Sequence, residues 1–334
     1  MKAEIKKENK MSEKEIMVSI IMPVYNHESY LSQAIDSVVN QKTDFAIELL
    51  IGEDVSTDRS RLICQEYEAK YKDIIRVFYR EKNMGGLENS YNLAENAKGK
   101  YCITLEGDDY WTDMSKLQVQ VDFLNSHPEY IGCSHGFCLV DENGNQLIDK
   151  DYQCQFFDGK VYTVKEFEKG QFVSHINTIM YHNIFKDDTV NTSFIHEFNN
   201  IWGDATMMAL LVSLGSIYHM PQKMSCYRRV THKSSSSFTA EMVRKNIREE
   251  IFYSQLYLEK HFGGKISFKH KKKEIFASAV FKWYRDRSSK DFEVVKKIIR
   301  KSRQPIRYSV YFVYLITLRK LLDIFGRRDK RVPF

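Results

Sequence analysis

Residues 101–109 read Tyr-Cys-Ile-Thr-Leu-Glu-Gly-Asp-Asp and join a buried-strand pattern to a cluster of acids. The first five residues are apolar or β-branched, which is typical of a strand in a sheet core. Glu106, Asp108 and Asp109 then follow within one turn, and charges this close repel unless a cation or a proton offsets them. Carboxylates suit Mg²⁺ or Mn²⁺, which also bind phosphates. The alternative is a plain turn, because Gly-Asp-Asp is also good turn chemistry.

The chain before this stretch alternates strands and helices. Apolar runs predict strands at 18–22, 47–51, 74–79 and 101–105, and helical spacing of apolar residues predicts helices between them. Such alternation indicates right-handed β-α-β units and a mainly parallel sheet flanked by helices, an α/β fold. Ligands of these sheets bind beyond the carboxyl ends of the strands. Those ends carry Pro23–Asn26, Glu53–Asp54 and Glu106–Asp109, so the sequence places the polar chemistry where a site is expected.

Charge is distributed unevenly along the 334 residues. Residues 265–334 hold 21 Lys and Arg against 6 Asp and Glu, a net charge of +15, whereas the remainder carries −9. The 43% hydrophobic and 13% aromatic content excludes a disordered chain. The six cysteines show no zinc-binding spacing and fit reduced thiols in the cytoplasm. Residues 1–16 lack the apolar core of a signal peptide, and we predict a disordered leader there.

The basic C-terminal region, residues 233–334, is predicted to be helical. It contains an apolar run, Val310–Ile316, which is too short to span a bilayer. One alternative is an interfacial helix that lies on the anionic inner face of the cell membrane. The other is a helix packed on the preceding domain with a solvated basic face. The pattern slightly favours peripheral membrane contact, and nucleic-acid binding is not predicted because no recognition motif accompanies the charge.

Five segments, taken in order, resemble the family 2 glycosyltransferases, which have the GT-A fold. The segments are Val18–Asn26, Glu53–Asp58, Asn83–Gly86, Glu106–Asp109 and Gly203–Asp204. The resemblance covers about residues 17–232, between the leader and the basic helical region. The version Glu-Gly-Asp-Asp-Tyr-Trp-Thr-Asp resembles a bacterial subgroup associated with surface polysaccharides.

The resemblance implies a metal-dependent, inverting glycosyltransferase that moves a sugar from a nucleotide-sugar, expected to be a UDP-sugar, to a hydroxyl of a glycan or lipid-linked acceptor. Asp204 is expected to be the general base, and Asp108 and His232 the ligands of Mn²⁺ or Mg²⁺. The residues expected to bind the nucleotide-sugar are Pro23, Tyr25, Asn26, Asp54, Asn83, Gly85, Gly86, Glu106, Asp109, Trp111 and Arg229.

Several of these residues also have a plainer structural role open to them. Asp54 and Asp204 could cap helices, and Gly85 could serve only a tight turn. Trp111 could pack in the core, which is the commoner fate of an aromatic side chain, and His232 could lie on a surface loop.

The chain departs from the family pattern at two positions. Many relatives have Gly at the position of Val55. Many also carry Arg at the position of Tyr91, so the resemblance does not imply a diphosphate contact there.

Two rival functions remain open at this point. A sugar nucleotidyltransferase shares the sheet and the carboxylates, but Pro23–Glu28 lacks the glycines and the Lys or Arg of its phosphate loop. A non-catalytic, membrane-associated assembly module could keep the same fold.

Overall fold

A computed structural model describes residues 15–149, 156–157, 159–196, 203–230, 248–302 and 304–324. Contacts divide the chain into two compact units. The first unit comprises residues 1–123 and 180–190, and the second comprises 124–179 and 191–334. Most of the predicted leader and the predicted boundary at 232–233 lie outside the described residues, so the domain limits stay a prediction.

The elements of the first unit are β1 (Ile16–Val24), α1 (Leu31–Val39), β2 (Ala46–Glu53), α2 (Ser60–Lys70), β3 (Ile75–Tyr79), α3 (Gly86–Glu95), β4 (Tyr101–Thr104), β5 (Tyr110–Trp111), the start of α4 (Lys116–Ser126) and β8 (Met180–His182). Five of these strands lie in the order β3-β2-β1-β4-β8. Strands β1 to β4 pair in parallel, and β8 pairs antiparallel to β4. The expected mainly parallel α/β sheet is confirmed.

The first strand continues through Pro23, whereas the sequence predicted that proline would end it. Proline has no backbone N–H to donate, so what matters is which neighbouring strand position 23 faces. The carbonyl of Ile21 bonds to the residue after β4, and that of Val24 bonds toward β2. Because these directions alternate along a strand, Pro23 faces the β4 side, where pairing has already ended at Ile21. No ladder bond is lost.

Asn89 fixes the helix α3 against the sheet. Its amide nitrogen Nδ2 donates to the carbonyl of Gly52, 2.7 Å away. A Cβ atom on residue 52 would lie 2.2 Å from Asn89 Oδ1, so the strand needs glycine there. This contact sets the position of the first turn of α3, which begins at Gly86.

The second unit contains three further strands and most of the remaining helices. Strand β9 pairs in parallel with β6 and antiparallel with β7. The elements are β6 (Tyr130–Val140), β7 (Val161–Tyr162), α5 (Val164–Glu168), α6 (Gly203–Leu214), β9 (Ser216–Arg228), α7 (Arg248–His261), α8 (Lys269–Asp286), α9 (Ser289–Lys301) and α10 (Pro305–Ile324). Strand β9 is continuous over its 13 residues.

The helices α7 to α10 form the predicted C-terminal helical region and enclose an apolar core of their own. Phe252, Phe276, Val280 and Val295 are fully buried in that core. The ring of Phe276 lies edge-on to that of Tyr308, with centroids 4.9 Å apart. Aromatic pairs of this geometry add to the stability gained from apolar burial.

We expect Phe276→Ala to destabilise the protein by about 3–5 kcal/mol, because it removes a fully buried ring and leaves a cavity. Chemical denaturation followed by circular dichroism measures this change. The matched control is Tyr314→Ala, since Tyr314 is 57% exposed and its loss should cost under about 1 kcal/mol. Equal losses in the free energy of unfolding for the two variants would contradict a packed core of the C-terminal helices.

Candidate active site

Polar side chains follow the carboxyl ends of the parallel strands in the first unit. Tyr25 and Asn26 follow β1, Asp54 follows β2, Arg80 follows β3, and the acids 106–109 follow β4. The strand register is parallel throughout, so these ends lie on one edge of the sheet. The structure therefore brings the predicted residues of this unit to a common edge.

The buried residue Asp54 links the end of β2 to the loop before α3 by hydrogen bonds. It is 1% exposed, and its two oxygens accept the backbone N–H groups of Met84, at 2.7 Å, and Gly85, at 2.9 Å. Its own carbonyl accepts from Asn83 Nδ2 at 2.9 Å. These two N–H groups precede the first helical residue of α3, which has no side-chain cap, so the bonds hold the loop and the capping alternative for Asp54 is not realised. A carboxylate oxygen has lone pairs for more than one donor, so these bonds are compatible with an additional contact to a nucleotide base.

Asn26 ties the loop after β1 to the loop after β2. Its backbone N–H donates to Ser56 Oγ at 3.1 Å, and its side-chain oxygen accepts from the N–H of Thr57 at 2.8 Å. Asn26 and Val55 both have left-handed backbone angles, with φ of 57° and 61°. Val55 thus adopts a backbone conformation that glycine adopts freely, at the cost of strain for a β-branched residue. Pro23 is buried and Tyr25 is half-buried beside this turn.

Gly85 and Gly86 leave open space at the start of α3. A Cβ atom on either residue would meet nothing within 4 Å. Gly85 has φ 82° and ψ 152°, a conformation that is essentially restricted to glycine. The backbone of Gly86 does not have a positive φ, so its conformation does not require glycine. Only the open space beside it gives a reason for a residue without a side chain. The turn and the close approach of a ligand, which were alternatives in the sequence, are therefore both compatible with the structure.

The acidic segment after β4 folds as a turn and still presents carboxylates. The N–H of Asp109 donates to the carbonyl of Glu106 at 3.0 Å. Asp109 is buried, whereas Glu106 and Asp108 are half-buried. A Cβ atom on Gly107 would lie 2.6 Å from His27 Nδ1, so the ring of His27 excludes any other residue there. Three carboxylates on one tight turn are a hard-oxygen donor set, which fits Mg²⁺ or Mn²⁺.

Trp111 lies in the core of the first unit. It is 4% exposed, and the ammonium of the fully buried Lys116 lies 4.2 Å from the centre of its ring. A ring covered in this way has little face to offer a sugar. Its predicted role in binding the donor sugar stays a prediction, and the core-packing alternative describes its surroundings.

Arg80 is a site residue that the sequence analysis missed. Its Nε donates to Asn89 Oδ1 at 3.0 Å. Its terminal nitrogen Nη2 is buried without a hydrogen-bond partner among the described residues. Burial lowers the pKa of its guanidinium, and the charge of Asp54 acts in the opposite direction. Tyr91, where relatives carry Arg, is only 3% exposed. The first unit thus has a cationic side chain, that of Arg80, near Asp54 after β3. A basic residue directly after a predicted strand is the sequence signal that could have identified it.

Two predicted residues belong to the second unit. Asp204 is in the first turn of α6; its side chain reaches solvent, yet surrounding protein desolvates it and raises the pKa of its carboxyl to about 6. This combination is expected of an acid that water reaches from one side only. Arg229 pairs with Asp149, with Arg229 NH1 2.8 Å from the carboxylate oxygen. His232 lies outside the described residues.

The sequence was compared with families of known proteins. Residues 19–188, half of the chain, match the model of the family described as Glycosyl transferase family 2. This match contains the strand ends of the first unit described above. The nucleotidyltransferase and assembly-module alternatives gain no support from it.

Relatives and solved structures agree with the family match. The chain is 28% identical over 232 residues to the minor teichoic acid biosynthesis protein GgaB of Bacillus subtilis, a match that covers 68% of this chain and 24% of GgaB. It is 34% identical over 131 residues to the putative teichuronic acid biosynthesis glycosyltransferase TuaG of the same organism, covering 39% of this chain and 50% of TuaG. The chain thus spans half or less of these relatives.

A crystal structure of S. aureus TarS, residues 1–349, in complex with UDP-GlcNAc superposes with a TM-score of 0.59. The identity is 17%, and the match covers 85% of this chain and 80% of that chain. At this identity the similarity bears on the fold, and it confirms the predicted GT-A architecture.

We expect Gly86→Ala to weaken UDP binding at least about tenfold in calorimetry while stability is kept, since Ala is the better helix former by up to about 1 kcal/mol. Gly85→Ala should weaken binding and also destabilise the protein by about 1–3 kcal/mol through backbone strain.

The matched control is Gly264→Ala. Gly264 also has φ 82° and open space around it, but it follows α7. This variant should lose stability and bind UDP normally. If a folded Gly86→Ala protein bound UDP with normal affinity, Gly85 and Gly86 would serve only the turn.

Proposed function

Because the chain belongs to glycosyltransferase family 2, we propose that it transfers a sugar from a UDP-sugar to a hydroxyl of a surface-polysaccharide acceptor, with inversion and with a divalent metal ion. The glycosyltransferase activity follows from the family. The nucleotide, the metal, the stereochemistry and the acceptor are the parts proposed.

The proposal rests on the groups that lie beyond the carboxyl ends of the parallel strands in the first unit. Asp54 there holds the loop that contains Gly85, and open space adjoins that glycine. The same sheet edge carries Asp108 after β4. A base-binding carboxylate, an unobstructed backbone at a helix start, and acids for a cation are what a nucleoside diphosphate requires.

Asp108 is the residue proposed to hold Mn²⁺ or Mg²⁺, with Glu106 and Asp109 beside it, and His232 as a further ligand. A cation bound there would neutralise the diphosphate and stabilise its negative charge as the sugar bond breaks. Both ions accept these oxygen ligands, so the donor set does not select between them.

Asp204 is proposed to accept the proton of the acceptor hydroxyl. The acceptor oxygen then forms a bond to the anomeric carbon as the bond from that carbon to the diphosphate oxygen breaks. One direct displacement of this kind inverts the configuration, whereas retention requires two steps. A base is effective when its pKa is near the working pH, and the raised pKa of Asp204 supports this role.

The acceptor is proposed to be a glycan or a lipid-linked glycan. The names of GgaB and TuaG, teichoic and teichuronic acid biosynthesis proteins, support a cell-surface polymer. Among the described residues, no helix is both long and apolar enough to cross a bilayer. A lipid-linked acceptor would be reached from a peripheral position on the inner membrane face.

We expect Asp108→Asn to abolish sugar transfer and to reduce UDP affinity to the value measured for the wild type in EDTA. Loss of the cation should weaken binding at least about tenfold, because a bound cation contributes several kcal/mol to charge stabilisation. Calorimetry with UDP, with and without Mn²⁺, measures the effect. The control is Asp73→Asn, the same substitution at an exposed residue. Mn²⁺-dependent UDP binding by a folded Asp108→Asn protein would refute the assignment.

We expect Asp204→Asn to lower kcat about 10²–10⁴-fold with UDP affinity unchanged. Asn caps helices as well as Asp does, so a capping role alone would leave the activity intact. In the wild type, the base works deprotonated, so kcat/KM should fall as the pH drops through about 6. The control is Asp188→Asn, at an exposed position; wild-type kcat for Asp204→Asn would exclude the base role.

A further inference from the structure

One face of α10 is apolar and exposed. Ile306 is 82% exposed, Val310 65%, Val313 63% and Tyr314 57%. Their spacing of four, three and one residues places them on a single side of a helix. These four residues are called the α10 stripe.

The fold does not need the α10 stripe for its own packing. The buried Leu315 and the partly buried Tyr308, Tyr311, Phe312 and Ile316 form the opposite face of α10 and pack against the core of the C-terminal helices. The helix is therefore held by one side while the other side presents four large apolar groups to solvent. Contiguous apolar surface of this kind usually marks an interaction site.

The charge near the α10 stripe is mainly positive. Residues 294–324, from α9 to the end of α10, contain eight Lys and Arg and one acid, Asp323. Arg300 and Lys301 at the end of α9 and Arg307 in the first turn of α10 are exposed. An apolar face with exposed cations on the same helix and on the preceding one matches a surface that offers hydrocarbon beneath negative charge.

We propose that the α10 stripe binds the surface of an anionic lipid membrane, with α10 parallel to the membrane plane. Apolar side chains of such a helix enter the boundary between headgroups and acyl chains, and the cations contact the headgroups. The inference deepens the proposed function, on whose lipid-linked acceptor and membrane position it rests, but it uses none of the residues proposed to bind the donor. A second copy of the chain is the less favourable occupant, because facing stripes would bring two clusters of eight cations together.

The test is co-sedimentation of the full chain with phosphatidylcholine vesicles, prepared with and without phosphatidylglycerol. We expect binding only to the anionic vesicles. Val310→Glu/Val313→Glu should weaken it at least about tenfold, by removing apolar contacts and adding repulsion. Arg300→Gln/Arg307→Gln should weaken it about 25-fold, which is about fivefold for each cation lost.

The matched control is Leu62→Glu/Ile148→Glu, which adds the same charge at two other exposed apolar positions, 45% and 80% exposed. This variant should bind like the wild type. Equal binding by wild type and Val310→Glu/Val313→Glu, or no binding of the wild type to anionic vesicles, would overturn the proposal. So would a dimer seen in sedimentation velocity without lipid that the stripe variant alone dissociates.

UDP binding measured on the same samples separates this inference from the proposed function. If UDP binds in the presence of Mn²⁺ while vesicles do not, only the membrane surface is wrong. If vesicles bind and UDP does not, the donor site is wrong and the surface stands.

Discussion

The tight turn after β4 places three acids, Glu106, Asp108 and Asp109, within four residues of one another. The turn that carries them is fixed from both sides, by the bond from the N–H of Asp109 to the carbonyl of Glu106 and by the ring of His27 against Gly107. The backbone of the three acids is therefore held in one conformation. A divalent cation bound there, as we propose, would offset their negative charge and would supply the positive charge that a diphosphate needs.

Hydrogen bonds within the protein also fix the neighbouring loops. Asp54 holds the loop before α3 through two backbone N–H groups, and Asn26 and Val55 keep left-handed turns. A loop that is already in place loses less entropy on binding than one that must first be ordered. The strain at Val55 is thus consistent with a rigid nucleotide site, since strained backbone persists only where the surroundings enforce it.

Much of this could be predicted from the sequence, because alternating apolar runs specify parallel strands and their polar ends. The path of β1 through Pro23 was not predicted, since it depends on which neighbour each carbonyl faces. Arg80 was missed because its partner, Asn89, is brought near only by packing of α3. The burial of Trp111 under Lys116 is likewise a tertiary contact that periodicity does not show. The exposed side of α10 also required knowledge of which face the helical core uses.

A crystal structure of the protein with UDP and Mn²⁺, with anomalous scattering recorded, would locate the manganese ion. We expect an anomalous peak within about 2–2.3 Å of an Asp108 oxygen and in contact with the diphosphate. UDP bound with manganese elsewhere, or with Asp108 engaged only by protein groups, would contradict it.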